Sequence, residues 1–227
     1  MISDSTKERK IQIIPAILAV TEEEYKDKLD KIRAGSGLAQ GWVQIDFMDN
    51  KFVQNKSITP DIVARYPINL KKEAHLMVKY PQNWIDDLVK VDIDRVVFPI
   101  EDEAGIDERI TQLRNHGIQV GLSLNPDTPL AKVEPFVSKI DLLLLLSVQP
   151  GFSGQKFIPE VLEKVKEADK FREINNYLQI EVDGGIKPEV IREVVQAGAD
   201  NIVIGGYLTD GDITEHLEKI WEAFTGN

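Results

Sequence analysis

Eight short, mostly apolar runs, separated by stretches of helical periodicity, constrain this chain more than any other feature. The runs span residues 11–18, 42–47, 71–77, 95–99, 118–124, 141–147, 178–183 and 201–205. They are near-continuous in apolar character, which suits strands covered on both faces. Amphipathic stretches at 21–33, 81–89, 106–115, 159–171 and 188–197 fall between them. Thr21 and Glu24 form a capping-box pattern at the first of these. Pro159 and Pro188 stand where a first helical turn accepts proline. Gly117 and Gly198 follow helix-like segments as stop signals.

Eight strands alternating with helices in 227 residues favour a closed (β/α)8 barrel over an open doubly wound sheet. No linker, composition shift or residue-level repeat marks a second unit. The expectation is one domain over 11–227 behind a loosely attached, polar segment at 1–10.

Charge and composition exclude several roles. The formal net charge of −11 argues against non-specific binding to nucleic acid or to an anionic membrane. It leaves room for a small anionic substrate, because backbone N–H groups bind phosphate without net positive charge. With no cysteine in the chain, disulfides and thiolate metal sites are ruled out, so a metal must use oxygen and imidazole. No run is long enough to span a bilayer and the first ten residues lack an apolar targeting core, so a cytoplasmic location is expected.

In such a barrel, chemistry lies at the carboxyl ends of the strands. Residues suited to it collect there: Asp46 at the end of the second run, His75 in the third and Asp183 in the seventh. Side chains alternate along a strand, so Gln44 faces the same way as Asp46, and Glu181 the same way as Asp183. An isolated strand-end aspartate also serves as a loop cap, and a glycine pair as a plain turn. Read alone, Met48 and Met77 are packing residues. His116 and His216 read as surface residues, and the carboxylates at 22–24 and 101–103 as solvated faces.

Several motifs together resemble the ribulose-phosphate 3-epimerase family of phosphate-binding TIM barrels. They are Asp46-Phe47-Met48-Asp49 with Phe52-Val53, His75-Leu76-Met77-Val78, and Asn125-Pro126-Asp127-Thr128-Pro129. The run from Ser147 through Gln149-Pro150-Gly151-Phe152 and Gly154-Gln155 to Phe157, and then Val182-Asp183-Gly184-Gly185-Ile186, complete the set. The resemblance implies a ketose-phosphate 3-epimerase that interconverts D-ribulose 5-phosphate and D-xylulose 5-phosphate through an enediolate. It implies Asp46 and Asp183 as the proton carriers. It also implies one divalent metal (zinc, iron, manganese or magnesium) on Asp46, His75 and Asp183. Phosphate is expected on backbone near Gly154, Gly184, Gly185, Gly205 and Gly206, with Met48 and Met77 as a water-poor wall. Relatives of this kind commonly form homo-oligomers, which is the expectation here too.

The chain departs from the family pattern at four places. Gln44 replaces a metal-ligating histidine, which makes it a weaker ligand or a donor behind the ligands. Ala16 and Ala19 replace two strand-one serines, Gly205-Gly206 replaces a Gly-Ser pair, and Phe98-Pro99-Ile100-Glu101 replaces a His-x-Glu-like segment. Three of these four changes are expected to face the site. The competing reading is a non-catalytic or repurposed barrel that binds a sugar phosphate or a protein partner; an epimerase for another ketose phosphate is a third.

Overall fold

The computed structural model describes residues 10–35, 38 and 41–226. Apart from Lys10, the N-terminal segment expected to be flexible lies outside the described residues. Eight parallel strands close into a barrel in sequence order. They are β1 (Gln12–Ile17), β2 (Trp42–Met48), β3 (Lys71–Met77), β4 (Arg95–Pro99), β5 (Gln119–Leu124), β6 (Leu142–Leu146), β7 (Gln179–Asp183) and β8 (Asn201–Ile204). Among the described residues, no helix is long and apolar enough to cross a membrane.

Alternation along each strand divides the core in two. Outward-facing Ile45, Phe47, Leu76, Val96, Phe98, Leu143, Leu145, Ile180 and Val182 pack under the helices. Inward, Val97, Leu142, Leu144 and Leu146 fill one wall of the barrel, and Ile14, Ala16 and Val203 another. The five consecutive leucines of β6 are therefore a strand buried on both faces.

The outer layer comprises α1 (Glu22–Ala34), α2 (Pro60–Arg65), α3 (Ile85–Lys90), α4 (Ile106–Asn115), α5 (Val161–Ala168), α6 (Pro188–Ala197), α7 (Gly206–Thr209) and α8 (Ile213–Thr225). In α1, Tyr25, Leu29 and Ile32 form the buried stripe. Thr21 Oγ1 accepts from Glu24 N at 3.2 Å. Glu24 Oε2 accepts from Val20 N at 2.8 Å, one residue earlier than a capping box predicts.

Two helices, α2 and α7, escape the sequence reading, and a third, α8, is read there only as a helix-like stretch around His216. The first two have six and four residues, too few to show a period. The third follows the last strand, with Ile213, Leu217 and Ile220 buried. The stretches begun by Pro81 and Pro159 enter as tighter turns before their α-helices start at Ile85 and Val161. After β5 there are two 3₁₀ turns, Leu130–Lys132 and Glu134–Lys139, in place of an α-helix.

Candidate active site

The strand ends bring the acid and imidazole groups together. Asp46 and His75 are register partners on β2 and β3, and Asp183 ends β7 across the barrel. His75 Nδ1 lies 3.0 Å from Asp46 Oδ1 and 3.8 Å from Asp183 Oδ2. Beneath them Gln44, fully buried, spends its amide nitrogen on both carboxylates. Nε2 donates to Asp46 Oδ1 at 2.9 Å and to Asp183 Oδ2 at 2.8 Å. A primary amide has two N–H bonds, so one group serves both acids. Gln44 Oε1 and His75 Nε2 are buried without a hydrogen-bond partner.

These contacts set the charge. Burial and, next, the negative charge of Asp46 push the Asp183 carboxyl up to about 7, against the opposing pull of His75 and the Gln44 hydrogen bond. For His75, burial works against the cation, but the hydrogen bond and charge of Asp46, with the charge of Asp183, carry its pKa above the ordinary value. The ligand-capable atoms of Asp46, His75 and Asp183 lie within 4.8 Å of one another, a group able to hold a metal ion. Two carboxylates and an imidazole are a fitting donor set for a divalent cation, and the unpartnered His75 Nε2 shows that the ring is not fully used by protein.

One cavity joins Asp46, His75, Met77 and Asp183 to Gly154, Gly184, Gly185, Gly205 and Gly206. Met48 does not line it; it packs with Met77, Val53 and Leu18 behind the wall. Gly184 (φ 122°) and Gly185 (φ 64°) adopt conformations that favour glycine. A Cβ on either would overlap the loop after β6, at Val148 for one and at Phe157 for the other. Among the described residues, no protein group accepts from the amides of Gly185 or Gly206.

Of the altered strand-one positions, Ala16 lines the cavity, whereas Ala19 is buried in the shell beneath the helices. The expectation that both lost hydroxyls face the site is corrected by that one residue: the strand ends at Ile17, and the chain beyond it turns Leu18 rather than Ala19 toward the mouth. Glu101 is no solvated carboxylate. It accepts from Asn125 N at 2.8 Å and from the Thr128 hydroxyl, pinning the Asn125–Thr128 motif to the rim. Asp102 is likewise held, by Arg109 at 2.6 Å. His216 is half-buried, its ring stacked on Tyr207 at 4.6 Å between centroids, while His116 is exposed as expected.

Lys28 was not anticipated. It lines the cavity from α1, and its only signal in the sequence is a basic residue flanking the apolar Leu29. Arg95 was also missed. This fully buried guanidinium sits inside the base of the barrel, where its Nε donates to Glu73 and its NH2 approaches Glu181 at 3.5 Å.

Comparison with known proteins places this geometry among relatives. The description "Ribulose-phosphate 3 epimerase family" matches residues 12–209. Ribulose-phosphate 3-epimerase 2 of Cupriavidus necator is 34% identical over 96% of this chain and 94% of its own. The ribulose-phosphate 3-epimerase of Synechocystis sp. is 36% identical over 87% of this chain and 86% of its own, and that of Escherichia coli 33% over 87% and 88%. Among solved structures, 3-hexulose-6-phosphate synthase from Salmonella typhimurium superposes with a TM-score of 0.68 at 17% identity. That match covers 95% of this chain and 99% of the synthase, and shares the barrel fold.

Proposed function

Because this chain belongs to the ribulose-phosphate 3-epimerase family, we propose that it inverts carbon 3 of a ketose phosphate, interconverting D-ribulose 5-phosphate and D-xylulose 5-phosphate. The observation that carries the reading is the pair Asp46 and Asp183, held on one cavity by the two hydrogens of the Gln44 amide.

In this reaction one carboxylate takes the proton from carbon 3, and the C–H electron pair moves into an enediolate. The other carboxyl returns a proton to the opposite face, so the sugar gains and loses nothing. Asp183, with its pKa near 7, can serve in both protonation states at neutral pH. General acid–base help of this kind contributes ~10²–10⁴-fold. Without a metal the two acids draw the His75 ring toward its cationic form, whereas as a ligand the ring would be neutral. Gln44 fixes the separation of the two carriers. Met77 and the buried Met48 behind it keep that side of the cavity poor in water.

Asp46, His75 and Asp183 would hold one divalent metal, which would supply Lewis-acid polarisation of the ketone. Gln44 is assigned as the donor behind these ligands, since the atom it turns toward the carboxylates is its nitrogen, which has no lone pair for a metal. Phosphate is assigned to backbone amides at Gly185 and Gly206, with Gly154, Gly184 and Gly205 shaping the approach.

Turnover of D-ribulose 5-phosphate in D2O is the test. The expected result is D-xylulose 5-phosphate carrying deuterium at carbon 3. No turnover with zinc, ferrous iron, manganese or magnesium would remove this substrate. Retained binding of the sugar phosphate in that case would favour a barrel that binds without catalysis.

A further inference from the structure

Lys28 reaches the cavity from α1. Its Nζ donates to Leu18 O at 2.7 Å, at the carboxyl end of β1. It is half-buried and, with Ala16, Leu18, Gly205 and Gly206, forms the wall nearest β8. An ammonium has three donors, and the carbonyl uses one.

Its neighbour shows how unusual this is. Lys31, three residues on along the same helix, donates to Thr209 O at 2.9 Å and pairs with Asp27 at 2.9 Å. That contact docks α1 against the turn that begins at Gly206. Lys28, one helical turn earlier, has no carboxylate partner among the described residues. It is also the only lysine or arginine lining the cavity among the described residues, in a chain of net charge −11.

The charge balance on this wall calls for such a group. The Asp210 carboxylate lies 2.9 Å from where a Cβ on Gly206 would stand, beside the backbone assigned to the anion. Backbone amides alone would hold a phosphate dianion against Asp210 and against the two acids below.

We propose that Lys28 is a substrate-contacting residue that gives this cavity its preference for a phosphorylated ligand, through the two donors left free beside Leu18. The inference rests on the sugar-phosphate reading of the site and adds to it a charged side chain on top of the backbone amides.

Calorimetric titration of the full chain with inorganic phosphate, D-ribulose 5-phosphate and unphosphorylated D-ribulose tests this, comparing the native protein with Lys28→Gln and Lys28→Arg. Lys28→Gln should weaken both phosphorylated probes about tenfold, as expected for losing a charged hydrogen bond. It should leave D-ribulose unchanged and flatten the salt dependence of phosphate binding. Lys28→Arg should restore most of the loss. A purely structural tie to Leu18 would shift the melting temperature without moving the salt dependence or the preference for phosphate. Native-like phosphate binding by Lys28→Gln, equal loss for all probes, or a native protein that binds neither phosphorylated probe would overturn the proposal. Lys28-dependent phosphate binding without turnover would sustain it while refuting the epimerase reading.

Discussion

The barrel encloses two acidic layers built by the same strands two residues apart, and they are opposites. At the mouth, β3 supplies His75 and β7 supplies Asp183. At the base, the same strands supply Glu73 and Glu181. The base layer is closed around a permanent cation. Arg95 reaches Glu73, Glu181 and, at 3.0 Å, Gln179, while its guanidinium stacks over Trp42 at 4.0 Å and Asn201 donates to Glu181 at 3.1 Å. Burial, with the neighbouring Glu73, holds the Glu181 carboxyl well above the ordinary range despite Arg95. The mouth layer has no permanent cation, only a titratable ring and an amide, and it opens on a cavity. Acids walled in with arginine hold a fold together. Acids given a histidine, a shared amide and access to solvent can exchange protons.

The sharpest break of this comparison is Asp183→Asn. At the mouth it should cost ~10²–10⁴-fold in turnover with the fold intact, and Asp46→Asn should behave alike. The same Asp183→Asn protein should be more stable than the native one at pH 8 once both are stripped with EDTA. The carboxyl titrates at about 7 when folded and at ~3.9 when unfolded. Ionising it therefore costs stability progressively as pH rises through that window, and the full cost remains above it. Urea melts should show the advantage at pH 8 vanishing below about pH 4. Native-like turnover, or no advantage at pH 8, would refute the contrast.

Arg95→Met strikes the other layer. Breaking a buried pair strands two carboxyls, so unfolding free energy should fall by ~3–5 kcal/mol. Adding Glu73→Gln should recover part of that loss. A stable Arg95→Met protein would mean that the base layer does not depend on its cation.

Gln44→His sharpens the mouth by trading an amide nitrogen for a ligand nitrogen. Zinc affinity should rise by about tenfold, within the range of changes made around metal ligands. The gain is limited because the two hydrogen bonds to Asp46 and Asp183 are lost with the amide. If the native protein already binds zinc as tightly as Gln44→His, the amide is no handicap to the metal.

The smallest effect is expected from Gly206→Val. The new side chain must displace the Asp210 carboxylate and crowd the anion, weakening phosphorylated ligands severalfold while sparing D-ribulose. Equal losses would point to misfolding instead.

The eight strands were legible because most are apolar runs bounded by polar turns and they alternate with helical periodicity; β3 and β4 match to the residue. Short α2 and α7 were not legible, because six and four residues carry no period. Asp46, His75 and Asp183 were legible as strand-end residues within a recognisable order of motifs. Their arrangement around the amide of Gln44 was not, since a glutamine in a sequence does not show which of its two ends faces an acid. Arg95 was hidden for a related reason. A charged residue opening a strand reads as solvent-facing until the strand opposite is known to bring Glu181 against it.

The close fit of Gly184 on Val148, and of Gly185 on Phe157, leaves no room for so much as a methyl group between the loops after β6 and β7. A change in one loop therefore requires a change in the other, and Asp183 sits at the start of the second. The neighbouring rim at β8 and β1, where a Cβ on Gly205 would stand 3.9 Å from Ala16, has slack. Room to change what the barrel accepts lies on that side, where β1 presents Ala16 and α1 contributes Lys28.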